Sequence, residues 1–211
     1  TIPLALHGVV YRKDGSIVTI TIGEDDNDPI LMVSDLLPHL AADQMQKTAG
    51  QVIAGEQLNV LLGSEPLEGE GSDLVKLHMM KLLNDKYGII EEDFLSAELN
   101  IVPAMKCREV GLDRSMLAAY GHDDRVCAYP SLMALADFED VPERTLCAVL
   151  ADKEEIGSDG NTGMQSDFLR YFLYDLAKRD GVEGYRAISQ STCLSADVNA
   201  AFDPTYASAF E

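Results

Sequence analysis

The rhythm of apolar and polar positions changes along the chain, and each change predicts an element. Pro3 to Tyr11 carries aliphatic residues, Ser16 to Ile22 alternates β-branched ones, and Lys13-Asp14-Gly15 between them is a turn signal. The pattern predicts an antiparallel hairpin. Ile30 to Val33 and Leu58 to Leu62 read as two further short strands, separated by a long excursion of small and polar residues with Gly50 and Gly55. From Ser72 to Tyr87 the spacing becomes helical: Leu74, Val75, His78, Leu82 and Leu83 recur on one face, Ser72 is placed to cap and Gly88 to stop. His78 is read as a structural residue at the edge of that face.

In the second half, Glu98 to Val102 is a strand candidate, and Asp123 to Phe138 is a helix whose internal Pro130 predicts a kink or a late start. Thr145 to Leu150 is a continuous apolar run, the pattern of a strand buried on both faces. Met164 to Arg179 predicts an amphipathic helix with Phe168, Phe172, Leu173 and Leu176 on one side, and Tyr185 to Ile188 a last short strand. Strands alternating with helices imply an α/β fold with a largely parallel sheet. The expected organisation is a β-rich part over residues 1–95 followed by an α/β part over residues 96–211.

Composition narrows the function. Apolar residues make up 46% and charged ones 25% of the 211 positions, values of a globular protein. Acidic side chains outnumber basic ones 36 to 16, a net charge of −20, which argues against nucleic acid or an anionic membrane as partner. No apolar run approaches the roughly 18–20 residues that span a bilayer, and the start does not resemble a signal peptide. The four cysteines form no CxxC pair, which argues against a zinc-thiolate site and for a reduced, cytoplasmic setting. The sequence opens at Thr1 on a strand pattern without an initiator methionine, so it is expected to be part of a longer protein.

Candidate chemistry lies in acidic clusters. Gly23 to Pro29 lacks the ligand spacing of an EF-hand and reads as a solvated loop. The other three are Gly121-His122-Asp123-Asp124-Arg125, Asp152-Lys153-Glu154-Glu155-Ile156-Gly157-Ser158 and Ser195-Ala196-Asp197-Val198-Asn199. Taken singly, they read as helix caps and turns. Taken together, Asp123, Glu155 and Asp197 each follow a candidate strand, so they can converge on one rim of a sheet. Converging carboxylates repel unless protons or a cation compensate, and a divalent metal is the economical explanation. Oxygen ligands alone would favour magnesium or manganese; added histidines would favour zinc or cobalt. With two adjacent glutamates, one can ligate while the other faces a water. There is no GxSxG elbow, Walker A loop or HExxH pair. Cys127 and Cys147 sit in apolar surroundings and read as core residues.

Three segments, residues 96–132 around GHDDR, 152–168 around DKEEIG and 191–206 around SADVN, resemble the aspartyl aminopeptidase / aminopeptidase I family of dinuclear zinc metallopeptidases. The likeness extends over residues 1–15 and 34–45, which look like that family's inserted dimerisation domain, and so covers essentially the whole chain. The resemblance implies a zinc-peptidase-like three-layer α/β catalytic domain, present in part, and removal of N-terminal residues from peptides. It implies two divalent ions, zinc foremost with cobalt or manganese as alternatives. Asp123 would bridge them, with a cis peptide to Asp124. Glu155 would ligate one ion and Asp197 the other, Glu154 would be the general base, and His7 would reach a neighbouring subunit's site to help hold substrate. It also implies self-association, up to a dodecamer. Two histidine ligands of the family pattern, one in an HxD motif, have no counterpart here and are expected in sequence flanking residues 1–211. The alternative reading is a noncatalytic assembly or regulatory homologue.

Overall fold

Alternation between residues 4 and 22 builds the expected hairpin. Strand β1 (Leu4–Tyr11) pairs antiparallel with β2 (Ile17–Ile22), with Leu6 opposite Ile22 and Tyr11 opposite Ile17. The turn closes where the sequence predicts. Arg12 N–H donates to the Ser16 carbonyl at 2.9 Å, Gly15 takes φ +84°, and the Asp14 carboxylate accepts from the Ser16 N–H and hydroxyl at 2.9 and 2.6 Å. The computed structural model describes residues 2–210.

Successive β1 side chains point to opposite faces. Leu6 and Val10 lie on the face that joins Ile20, Leu31 and Ile89 in the core, whereas His7 lies on the other. The helix α2 (Leu74–Tyr87) closes this core with Leu83 and Tyr87, then stops at Gly88 in the left-handed region, φ +66°. Its start departs from expectation: Asp73, not Ser72, is the cap residue, and no side chain caps it. The His78 Nδ1 lies 2.9 Å from the Glu65 carbonyl, a structural contact. The long excursion between β3 (Met32–Val33) and β4 (Val60–Leu61) holds α1 (Ala42–Met45), a single turn.

The expected strand near residue 100 exists as β5 (Ala97–Pro103), but not in a second-half sheet. It pairs antiparallel with β1, giving the order β2-β1-β5. Gly8 permits this approach, since a Cβ there would lie 2.0 Å from the Glu98 carbonyl oxygen. With the hairpin of β6 (Arg108–Val110) and β7 (Met116–Ala118), the first compact unit runs to Tyr120, beyond the expected boundary at residue 95. The backbone ladder of β5 is the reason.

The second unit, from Gly121, is built on α3 (His122–Ala136), α4 (Phe168–Arg179) and α5 (Gly184–Ser189). Every ladder among the described residues is antiparallel, and none lies in this unit, so the expected parallel sheet is not formed among them, while the mixture of helices and strands is that of an α/β fold. Two causes act. Tyr185 and Ile188 are three apart, a spacing that suits one helical face as well as a short strand, and α5 forms instead. Thr145 to Leu150 has no neighbouring strand to supply its hydrogen bonds, and Leu146, Val149 and Leu150 are 44, 46 and 56% exposed. No helix among the described residues is long and apolar enough to cross a membrane.

Candidate metal centre

The first turn of α3 is irregular in a way that presents carboxylates. Gly121 takes φ +80°, the Asp123–Asp124 peptide is cis as the resemblance implied, and both aspartates have non-helical φ/ψ, so regular helix begins at Arg125. The break lies there, the late start that Pro130 left open. Asp197 comes from the irregular segment after α5, where its Oδ1 accepts from the Val198 N–H at 2.7 Å. One oxygen from each of Asp123, Asp124 and Asp197 lies within 4.8 Å of the others.

Three carboxylates this close repel one another unless a cation joins them. Metal–oxygen bonds of about 2.0–2.2 Å allow donors around one ion to lie no more than about 4.4 Å apart, so the cluster is near the size a divalent ion requires. Asp124 adds a second sign: its Oδ1 is shielded from solvent and has no hydrogen-bond partner. The donor set therefore fits a divalent metal. Asp124 is the member that the sequence did not single out; its only signal there is the Asp-Asp doublet. Cys127, one turn further along α3, is only partly buried, and the Asp124 carboxylate, followed by desolvation, holds its thiol above the ordinary range. Cys147 is exposed, so neither cysteine is the core residue expected.

Glu154 and Glu155 occupy a short 3₁₀ turn, Glu154–Ile156, framed by left-handed Lys153 (φ +65°) and Gly157 (φ +88°). The loop around them folds tightly. Asp152 N–H donates to the Thr162 carbonyl at 3.1 Å, and Gly163 lies so close to Ser158 that a Cβ would meet its carbonyl oxygen at 2.0 Å. The Lys153 backbone N–H holds the Asp152 carboxyl below its usual value, against slight desolvation. Both glutamates are exposed and stand outside the trio of aspartates. His7 belongs to the first unit, where its Nε2 lies 3.1 Å from Glu24 Oε1. His122 heads α3 and is exposed.

The family description "Aminopeptidase I zinc metalloprotease (M18)" matches residues 2–211. The chain belongs to the M18 aminopeptidase family. It is 51% identical over 216 residues to the probable M18 family aminopeptidase 1 of Clostridium acetobutylicum, covering 100% of this chain and 46% of that protein. Among solved structures, the M18 aminopeptidase of Thermotoga maritima superposes with a TM-score of 0.82 at 42% identity, over 98% of this chain and 46% of the other. A dodecamer of S. cerevisiae mApe1 superposes at 0.55 with 20% identity over 98% of this chain and 46% of the other, a likeness of fold alone. M18 aminopeptidases are hydrolases, and zinc is named for the family. The chain spans just under half the length of the M18 relatives it matches.

Proposed function

We propose that this chain is part of a metal-dependent aminopeptidase that hydrolyses N-terminal residues, acidic or neutral, from peptides at a two-metal site. The observation that carries the proposal is the convergence of Asp123, Asp124 and Asp197 in an M18 chain. Asp123 would bridge two zinc ions, Asp197 and Glu155 would each hold one, and two histidines from outside residues 1–211 would complete the set. Residues 1–95 would serve as the dimerisation domain inserted in a three-layer catalytic domain. His7 would extend to a neighbouring subunit's substrate, and the dodecamer of the yeast relative supports such self-association. Four unpaired cysteines fit a reducing, cytoplasmic compartment.

When bound, the ions would supply polarisation of the scissile carbonyl and acidification of water. The chain's own part is proton handling and orientation. Glu154, on a turn whose backbone is fixed at both ends, would take a proton from the attacking water and return it to the leaving amine. Its neighbour Glu155 would be left for ligation. The test is Glu154→Gln in the full-length protein. Peptide hydrolysis should fall by at least about a hundredfold, the scale of a lost general base, with metal content unchanged. Turnover at the wild-type rate would overturn the assignment.

A further inference from the structure

The acidic run after β2 reads in sequence as a solvated loop, yet in the structure its carboxylates turn back on their own chain. Gly23 N–H donates to Asp28 Oδ2 at 3.1 Å, and Asp28 N–H donates to the Asp25 carbonyl at 2.9 Å. The Asp25 carboxylate accepts from the Asn27 backbone N–H and side-chain amide, both at 2.9 Å. Lys106 pairs with Asp26 at 2.6 Å, and Lys86 reaches Asp28 at 3.5 Å. Three of the run's four acids thus fix the loop, and the fourth, Glu24, faces His7.

Gly23 delivers it there. At φ +100°, a Cβ on Gly23 would lie 3.0 Å from both Ala5 Cα and the Leu4 carbonyl oxygen, so the chain runs close beside β1 and brings Glu24 to His7. The His7 Nε2 is shielded from solvent and has no well-aligned hydrogen bond, while Glu24 Oε1 stands 3.1 Å away. A carboxylate at one ring nitrogen selects the tautomer and fixes the ring, which determines what the other nitrogen can do. A carboxylate–imidazole contact whose side chains are 35 and 53% exposed contributes little to stability, so a braced loop ending on this contact is better explained by orientation than by folding energy.

We propose that Glu24 is a positioning residue for His7, holding the ring through Nε2 and leaving Nδ1 for the substrate. This rests on the reading of His7 as a substrate contact. The test is a double-mutant cycle in the full-length protein with Glu24→Ala, His7→Ala and the pair, each checked for an unchanged melting temperature and oligomeric state. Glu24→Ala should lower kcat/KM roughly tenfold, the lower end for losing a group that orients a metal-bound histidine. The double variant should be no slower than His7→Ala alone. Added formate should restore part of the turnover to Glu24→Ala but none to the double variant. Wild-type turnover with multiplicative losses, or an unaffected Glu24→Ala, would overturn the positioning role alone. Absence of peptide hydrolysis by the metal-loaded wild-type protein would overturn the proposed function and this inference with it.

Discussion

Asp123 and Asp197 lie 74 positions apart in the chain, yet their carboxylates come within 4.8 Å of each other, with Asp124 between them in role. Clusters of acids at Asp123 and Asp197 made that convergence legible in sequence; the route to it was not. Strand ends of one sheet are the expected carriers of these residues, whereas an irregular helix start and an irregular segment carry them. Asp124 was hidden because an aspartate at a helix start has an ordinary explanation as a cap. Its shielded, unpartnered Oδ1 removes that explanation. Asp124→Ala in the full-length protein should weaken metal binding by roughly 10–100-fold, the loss typical of a group that orients or supports a ligand. Competition with a chelator measures it, and an unchanged affinity would leave Asp124 without a part in the site.

At the level of elements, short-range punctuation was readable and pairing partners were not. The Lys13-Asp14-Gly15 turn and the Gly88 stop act through local backbone geometry, which a sequence states directly. A strand's place depends on its neighbours: β5 joins β1 rather than a second-half sheet, and among the described residues no segment of the second unit offers residues 145–150 a ladder. Gly8 shows how tightly the true pairing is drawn. Gly8→Ala should destabilise the first unit by about 1–3 kcal/mol, the cost of forcing extra volume into a packed position, as read from the midpoint of chemical denaturation. The loop bearing Glu154 and Glu155 has a pH signature. The Asp152 carboxyl is held below the ordinary value of about 3.9, chiefly by the Lys153 N–H. A depressed carboxylate stabilises the fold at pH values above that ordinary value, and the contribution is lost as pH falls through the lower folded value. Amide protection factors in residues 152–166, taken relative to intrinsic exchange at each pH, should therefore hold steady from pH 7 to about 5 and fall below about 4, and Asp152→Asn should abolish the step.

At the scale of the whole chain, large apolar side chains are exposed in both units. In the second unit, Phe168, Tyr171 and Phe172 on α4 are 73, 60 and 47% exposed, and Ala177 is the one buried hydrophobic residue among those described there. Surface of this kind requires a covering partner, and the chain spans just under half of its M18 relatives. The backbone amides of residues 145–150 should exchange freely in the 211-residue chain and be strongly protected in the full-length protein. Equal exchange in both would show that this run is not a buried strand in either.

The central claim is that Asp123, Glu155 and Asp197 supply three of the five ligands of a two-metal peptidase site, and metal content measures it most directly. Elemental analysis of the purified full-length protein should give about two zinc equivalents per subunit, with both lost in an Asp123→Ala variant that remains folded. A wild-type protein with no bound transition metal after zinc loading, or an Asp123→Ala variant that retains two equivalents, would contradict the account.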